Sequence, residues 1–166
     1  MTPDDTEAAA RGLIELCRAR RLTVATAESC TGGLVAGAIT AIAGSSDVLD
    51  RGFVTYSNAA KEAMLGVSAQ TLAAHGAVSR ETAEAMAQGA LARAPVELAV
   101  AITGIAGPGG GSAEKPVGLV HFAAAARDGR KSHREQRFGD IGRAAIRRQS
   151  VLVALALLAE LAVPHA

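Results

Sequence analysis

Hydrophobic residues recur at helical spacing near both ends of the chain. Leu13, Ile14 and Cys17 have this spacing, and Pro3 and Asp5 suit a helix start, so the pattern predicts a helix over residues 4–20. The final segment is predicted to form a long helix with one apolar side, lined by Ile146, Val151, Leu155, Leu158 and Leu161. The chain is thus expected to begin and end with a helix.

Short β-rich segments alternate with helical segments between these two helices. Strands are predicted over residues 22–27, 53–56 and 98–103. Helices are predicted between them, over residues 34–43, 58–65 and from Ser79 to about Arg93. Ser57 and Asn58 are both good caps for the second of these helices. The third strand is apolar throughout, which is typical of a strand covered on both faces.

The last strands are predicted to form a hairpin. Asp128-Gly129 is a strong turn signal, and it lies between two β-rich segments, residues 117–125 and 132–138. Alternating strands and helices followed by a hairpin predict an α/β protein, a three-layer α/β/α sandwich with a mixed, mostly parallel sheet. We expect one domain over residues 1–166.

The composition favours an aliphatic core and argues against polyanionic partners. Of 166 residues, 49% are hydrophobic and only 2% aromatic, so Ala, Val, Leu and Ile must build the core. Seventeen basic and sixteen acidic residues leave a net charge of +1, which gives no global attraction to nucleic acid or anionic lipid. With one Tyr and no Trp, little is available to stack on unpaired bases. We therefore expect no nucleic-acid partner.

Cysteines and histidines give no sign of a disulfide framework or a metal site. Cys17 and Cys30 are too few for the first, and ligand spacing is lacking among His75, His121, His133 and His165. The acidic N-terminus does not resemble a secretory signal, and the longest apolar run, residues 151–159, is too short for a membrane span. These observations predict a soluble cytoplasmic protein without metal, cofactor or membrane association.

The first candidate site is the segment TAESCTGG, residues 26–33. It places Ser29, Cys30 and Thr31 at the end of a strand and before the pair Gly32-Gly33, which opens a helix. Ligands gather at the carboxyl ends of strands in open α/β sheets, and amides at a helix N-terminus can hold a phosphate or an oxyanion. The alternative is a capped helix start in which Glu28 and Thr31 are only polar spacers. The segment is not the G-x-S-x-G elbow of α/β-hydrolases.

The second candidate is the segment YSNAAK, with Tyr56 at a strand end and Lys61 one turn into the following helix. The chain has three lysines against fourteen arginines, so a lysine here indicates proton transfer, which arginine cannot perform. A lysine base needs a lowered pKa, which burial or a neighbouring cation can supply. The alternative is a solvated lysine on a helix.

The third candidate is the glycine-rich loop over residues 104–118. Its glycines allow the backbone to approach a ligand closely, and they include Gly104, Gly107, Gly109 and Gly110. The loop has neither the ending of a P-loop nor the spacing of a dinucleotide-binding motif. It can equally be a plain surface loop.

The fourth candidate is a pair of arginines, Arg143 and Arg147, at the start of the last helix. They are one turn apart and share a face, as a bidentate grip on phosphate requires. The alternative, with Arg148 included, is a solvated basic face.

Eight motifs in this order resemble the CinA C-terminal domain family, which includes stand-alone nicotinamide-nucleotide amidases. They are AESCTGG, GSS, GFVTYSNAAK, LGV, GAVS, TGIAGPGGG, EKPVG and IRRQ. The resemblance extends from about Leu22 to Leu158. It implies hydrolysis of the carboxamide of nicotinamide mononucleotide to nicotinic acid mononucleotide and ammonia.

By motif matching, the resemblance assigns Ser29 as the nucleophile and Lys61 as its activating base, with Tyr56 nearby and Thr103 beside the reacting group. Amides near Cys30 to Gly33 and the Thr103 hydroxyl are candidate oxyanion donors. Asn58 is a further candidate substrate contact, and the glycine loop or the last helix is expected to bind the phosphate. The expected partners are a small nucleotide substrate and further copies of the chain in a homo-oligomer.

One departure from the family pattern lies before the last helix. The family follows its GD with arginine, whereas this chain reads GDIGRAAIRRQ, so that Ile141 and Gly142 are extra and any contact by Asp140 is in doubt. Two alternatives to the serine mechanism are also open. One is an amidase that uses Cys30 as its nucleophile, and the other is a nucleotide-binding regulatory module without turnover.

Overall fold

The computed structural model describes residues 3–164 as six helices and five strands. The helices are α1 (Pro3–Arg20), α2 (Leu34–Thr40), α3 (Asn58–Leu65), α4 (Ala69–His75), α5 (Arg80–Arg93) and α6 (Arg143–Ala162), with a short 3-10 turn at Ser45–Asp47. The strands are β1 (Val24–Glu28), β2 (Leu49–Val54), β3 (Leu98–Gly104), β4 (Leu119–Ala126) and β5 (Lys131–Arg137). None of the helices described in residues 3–164 is long and apolar enough to cross a membrane.

The five strands form one mixed sheet in the order β2-β1-β3-β4-β5. β1 is parallel to both β2 and β3, while β4 is antiparallel to β3 and β5. Only β4 therefore runs against the other strands of the sheet. Helices cover both faces, which confirms the predicted three-layer α/β/α sandwich with a mostly parallel sheet.

The two faces of the sheet carry side chains of different size. One face presents large residues, among them Val100, Ile102 and Phe122, and it packs against α1, α2 and α6. The opposite face, which packs against α5, is built from alanines: Ala25, Ala27, Ala99, Ala101, Ala123 and Ala125. Such small side chains let a helix approach the sheet closely, as the low aromatic content predicts.

α5 also lies tight against the C-terminal end of α3. A Cβ atom on Gly89 would overlap the carbonyl oxygen of Leu65, so only glycine permits this approach. Leu65 is the last residue of α3, which begins with a hydrogen bond from the amide of Ala60 to the Ser57 hydroxyl. The position of α3 is therefore set at both ends, and this helix carries Lys61.

Two predicted elements have clearly different limits in the structure, and one helix was not predicted. β2 begins at Leu49 and ends at Val54, whereas residues 53–56 were predicted. This strand lies at the sheet edge with mostly exposed side chains, so its sequence LDRGFV lacks the hydrophobic alternation of a half-buried strand. The helix α4 was not predicted, and it has no fully buried residue to produce a periodic signal. α2 ends at Thr40, before the predicted limit of residue 43.

Candidate active site

A cleft of about 290 Å³ lies where β1, β2 and β3 end. Its walls include most of the predicted site residues, namely Ser29, Cys30, Tyr56, Asn58, Lys61, Thr103, Gly104, Gly107, Gly109, Gly110 and Arg143. Four lining residues were not predicted: Ala77, Val78, Ile105 and Ala106. Their small or apolar side chains give no chemical signal in the sequence. Four predicted residues do not line the cleft: Thr31, Gly32, Gly33 and Arg147.

Ser29 and Lys61 are in direct contact inside this cleft. Ser29 is the first residue after β1, and its amide donates to the carbonyl oxygen of Ile102 on β3. The Nζ atom of Lys61 lies 3.1 Å from Oγ of Ser29. It also donates to the carbonyl oxygen of Thr55 at 2.9 Å. A strand end and the first turn of α3 thus bring together a hydroxyl and an amine.

The amine of Lys61 is almost completely buried. Lys61 is only 1% exposed, and the two hydrogen-bond partners of its amine are neutral oxygens. Burial lowers the pKa of Lys61 below its usual range, because removing the ammonium from water disfavours the charged form. A neutral amine can donate to the Thr55 carbonyl and still accept the proton of the Ser29 hydroxyl.

Cys30 lies beside Ser29 but in a different chemical state. It is 6% exposed, and burial raises the pKa of its thiol to about 12. A thiol is a poor nucleophile until it is ionised. The lysine amine is hydrogen-bonded to Ser29 and not to this sulfur. The geometry therefore favours the hydroxyl over the thiol as the reactive group.

Arg143 crosses the mouth of the cleft. Its Nη2 atom donates to the Tyr56 hydroxyl at 2.9 Å, and its Nη1 atom donates to the carbonyl oxygen of Gly107 at 2.8 Å. Tyr56 is 62% exposed, so its ring stands at the rim. Arg143 thereby ties the segment after β2 to the glycine loop and leaves a positive charge on the cleft wall.

The amides at the start of α2 are mostly occupied by a carboxylate from the protein itself. Glu28 is buried, and its Oε1 atom accepts from the amides of Gly33 and Val35, at 3.2 and 2.9 Å. Its Oε2 atom accepts from Ala36 at 3.0 Å, and the Gly32 amide donates to the Ser29 carbonyl oxygen. Gly32 and Gly33 were therefore wrongly predicted as free oxyanion donors. Glu28 acts as the cap of this helix.

Two further predictions of ligand contacts are corrected by the side-chain partners. The Thr103 hydroxyl donates to the carbonyl oxygen of Ala77 at 2.8 Å, so it holds the cleft wall and is not a free oxyanion donor. Arg147 was predicted to grip phosphate together with Arg143. Its guanidinium instead donates to the carbonyl oxygens of Cys30 and Thr31, at 3.1 and 3.3 Å.

The two extra residues before α6, Ile141 and Gly142, leave the start of this helix next to the cleft. Gly142 precedes Arg143, the first residue of α6, and adopts a positive φ of 98°. Ile141 is 47% exposed. Asp140 lines a neighbouring depression on the outer side of the glycine loop, together with Arg137. Asp140 is thus not among the residues that line the cleft.

Of the histidines in the described residues, His75, His121 and His133, none lines the cleft. His121 and His133, on adjacent strands, have ring nitrogens 2.9 Å apart. His165 lies outside the described residues. Within residues 3–164, no group of three or more His, Cys, Asp or Glu side chains is arranged to hold a metal ion.

The protein is an α/β/α sandwich whose candidate site pairs Ser29, directly after β1, with the buried Lys61 in the first turn of α3. The model of the CinA C-terminal domain family matches residues 6–162, and the chain belongs to that family. The chain is 57% identical over 142 residues to the nicotinamide-nucleotide amidohydrolase PncC of Escherichia coli strain K12, with 85% of each chain covered. It is 55% identical over 139 residues to the protein of the same name from Enterobacter agglomerans, with 83% of this chain and 84% of the relative covered.

Solved structures agree with these sequence matches. The competence/damage inducible protein CihA from Agrobacterium tumefaciens has a TM-score of 0.95 and 60% identity, with 97% of this chain and 98% of that chain covered. A CinA superfamily protein from Klebsiella pneumoniae has a TM-score of 0.90 and 39% identity, with 95% and 97% covered. The predicted family resemblance is confirmed.

Proposed function

We propose that this protein hydrolyses the carboxamide of nicotinamide mononucleotide to nicotinic acid mononucleotide and ammonia, with Ser29 as nucleophile and Lys61 as base. The observation that carries the proposal is the 3.1 Å contact between the buried Lys61 amine and the Ser29 hydroxyl. The names of the PncC relatives, nicotinamide-nucleotide amidohydrolases at 55–57% identity, support the same reaction.

In the first half of the reaction, Oγ of Ser29 attacks the carboxamide carbon while its proton passes to Nζ of Lys61. The carbonyl oxygen becomes an oxyanion in the tetrahedral intermediate. Lys61 then returns the proton to the amide nitrogen, the C–N bond breaks, and ammonia leaves. Tyr56, at the rim, is a second group that can relay this proton. The product of this half-reaction is an ester between the nicotinoyl group and Ser29.

In the second half, water attacks the ester and gives its proton to Lys61. The C–O bond to Ser29 breaks, the serine takes the proton back, and the carboxylic acid is released. The same amine thus serves as base and acid in turn, which requires a pKa closer to neutrality than that of a solvated lysine. Burial lowers the pKa of Lys61 in this direction.

The charges of the cleft support a nucleotide substrate. Its lining includes the cation Arg143 and contains no Asp or Glu among the described residues. We assign the phosphate to Arg143 and to the backbone of Gly107, Gly109 and Gly110, since these provide positive charge and close backbone approach. The nicotinamide ring would lie against the apolar wall, with Asn58 and Gly104 beside it.

An ammonia-release assay on nicotinamide mononucleotide tests the proposal. We expect Ser29→Ala and Lys61→Arg to lower kcat by at least about 10³-fold, because residues that act as one unit each abolish most of the catalysis when removed. Lys131→Arg, at an exposed position, is the matched control and should remain active. Circular dichroism verifies that each variant is folded.

Two results would contradict the proposal in different ways. Near-normal turnover by Lys61→Arg would remove Lys61 from the mechanism, because arginine keeps the charge but cannot accept the proton. Binding of the nucleotide by the wild-type protein without any ammonia release would favour a regulatory nucleotide-binding module.

A further inference from the structure

We infer that Arg147 is a positioning residue that fixes the backbone amide of Cys30, directly after Ser29, so that it binds the oxyanion. The inference rests on the proposed function, because an oxyanion forms only if Ser29 attacks a carbonyl group. Arg147 does not line the cleft, so it has to act through the residues that it contacts.

The hydrogen bonds of the segment after Ser29 leave only two amides available. The Gly32 amide donates to the Ser29 carbonyl oxygen, and the amide of Leu34 donates to that of Thr31. The Gly33 amide is bound to Glu28. Over the described part of the chain, the amides of Cys30 and Thr31 have no such acceptor. Thr31 is fully buried and does not line the cleft, whereas Cys30 does. The Cys30 amide directly follows the nucleophile, where an oxyanion site needs its donor.

The orientation of the Thr31 amide follows from the carbonyl group of the same peptide unit. A trans peptide is planar, so its C=O and N–H bonds point in opposite directions. Arg147 Nε donates to the carbonyl oxygen of Cys30 at 3.1 Å. The N–H of Thr31 must therefore point away from Arg147, and it stays so only while this hydrogen bond holds.

The Cys30 amide is controlled by the same guanidinium through one further step. Arg147 Nη2 donates to the carbonyl oxygen of Thr31 at 3.3 Å, which fixes the peptide unit that contains the Gly32 amide. The Gly32 amide in turn donates to the Ser29 carbonyl oxygen at 2.9 Å. That carbonyl shares its peptide unit with the amide of Cys30. Arg147 thus sets the direction of the Cys30 amide, the available donor that belongs to a residue lining the cleft.

Arginine suits this role better than any other side chain. Its planar fork can reach two neighbouring carbonyl oxygens at once, whereas a lysine ammonium is a point charge without fixed geometry. Arg147 is anchored on α6 between the fully buried residues Ile146 and Ser150. A Cβ atom on Gly32 would come within 3.4 Å of Arg147 Nη2, so the guanidinium is closely seated.

The test compares Arg147→Lys and Arg147→Gln with the same two substitutions at Arg148. Arg148 is the next residue of α6, is exposed, and has no hydrogen-bond or ion-pair partner within residues 3–164. Losing one oxyanion donor costs about 10²–10³ in kcat, so we expect kcat of both Arg147 variants to fall by at least about tenfold. KM should stay within about threefold, since binding in the ground state is unchanged. The Arg148 variants should match the wild type.

Two readouts separate positioning from a structural role and from phosphate binding. The kcat of each variant is divided by its folded fraction, so a loss of activity that reflects only unfolding disappears after this normalisation. Nicotinamide riboside, which lacks the phosphate, is assayed beside the mononucleotide, and we expect the same fold-loss in kcat with both. Unchanged kcat in Arg147→Lys, or a rise in KM confined to the mononucleotide, would overturn the inference.

A serine-directed fluorophosphonate keeps the inference testable apart from the proposed substrate. Its reaction with Ser29 also develops negative charge on an oxygen, so labelling of Arg147→Lys should be at least about tenfold slower than labelling of the wild type. Equal rates would refute the role of Arg147. If the wild type is labelled but releases no ammonia from the mononucleotide, the proposed substrate is wrong and the positioning role is still measured. Failure to label wild-type Ser29 would overturn both.

Discussion

At the scale of single residues, the site depends on the burial of one amine without a counterion. Lys61 contacts a hydroxyl and a carbonyl oxygen, and neither compensates a full positive charge. A buried ammonium loses its hydration and gains only weak partners, so its pKa falls. The burial that would let Lys61 act as a base therefore also reduces the stability of the folded protein.

Replacing Lys61 with methionine should stabilise the protein while abolishing its turnover. The pKa of Lys61 is lower in the folded state, so the unfolded state binds more protons at pH values between its folded and unfolded pKa values. The resulting penalty is complete below the folded-state pKa and disappears above the unfolded one. We expect Lys61→Met to raise the free energy of unfolding by about 1 kcal/mol at pH 7, a typical gain when a functional but destabilising group is removed.

Urea unfolding at pH 7 and pH 10 measures this effect, with Lys131→Met as the control at an exposed site. The advantage of Lys61→Met should narrow at the higher pH. An equal or lower stability of Lys61→Met at pH 7 would show that burial of this amine carries no net cost.

Cys30 is expected to resist alkylation in the folded protein. Its thiol is buried with a pKa of about 12, so almost none of it is ionised at pH 8. Iodoacetamide treatment followed by the ammonia-release assay should leave most of the activity, and mass spectrometry should find Cys30 unmodified. Cys30→Ala should keep turnover within a few-fold of wild type. Rapid alkylation with parallel loss of activity, together with an inactive Cys30→Ala, would restore the thiol mechanism.

The sequence predicted which reactive groups meet but not the partners that hold them. Ser29 and Lys61 belong to local motifs, and the sheet topology brings the two motifs together. The Thr103 hydroxyl donates to the backbone carbonyl of residue 77. The Arg147 guanidinium donates to the backbone carbonyls of residues 30 and 31. Every residue offers such a carbonyl group, so the sequence carries no signal that singles these out.

At the scale of secondary structure elements, α3 is placed by its contact with α5. The absence of a side chain at Gly89 lets the two helices approach until the backbone of Leu65 lies against it. Any change in this spacing moves α3 as a whole and with it the amine of Lys61. Precise placement of the Lys61 amine is thus a consequence of helix packing.

Gly89→Ala should destabilise the protein and lower its activity per folded molecule. Alanine in a helix interior normally gains about 1 kcal/mol over glycine, but overlap with a backbone atom costs about 1–3 kcal/mol or more. The matched control is Gly12→Ala in α1, where a Cβ meets nothing within 4 Å and should stabilise. Thermal unfolding and kcat of both variants check this. Equal stabilisation by both substitutions would mean that α3 can move away from α5 without loss of stability.

Elements with a buried face were the ones that sequence patterns located well. α3 and α5 agree with their predicted limits to within a residue, and α6 buries all five of the apolar residues assigned to it. The limits of β2 were misplaced and α4 was not predicted, because their residues are largely exposed and burial is what produces hydrophobic periodicity. Exposed elements are held by neighbours that a local window of sequence does not include.

At the scale of the whole molecule, a histidine pair connects the two strands of the β4–β5 hairpin. Nδ1 of His121 on β4 lies 2.9 Å from Nε2 of His133 on β5. Burial is the main cause that lowers the pKa of both rings, and each is also affected by surrounding charges. Those charges come from α5, the hairpin and the glycine loop: Arg80, Glu81, Glu84, Glu135 and Lys115.

The stability of the fold should therefore decrease as the pH falls from 7 to 5. A histidine pKa that is lower in the folded state means that the unfolded state takes up protons first, below about 6.5, so protonation favours unfolding. Denaturant unfolding at pH 7, 6 and 5 measures the slope. His133→Asn should flatten it, while His75→Gln, at an exposed position, serves as the control. A slope unchanged by His133→Asn would show that the pair does not govern this response.

The reactive pair joins two parts of the sheet that differ in how firmly they are held. Ser29 follows β1, which is paired on both sides, whereas Lys61 follows β2, which is paired only with β1. Transient detachment of this outer strand would carry the amine away from the hydroxyl while four strands stay together. On warming, turnover should therefore be lost at a lower temperature than the circular dichroism signal. Turnover is then the more sensitive measure of the intact native state.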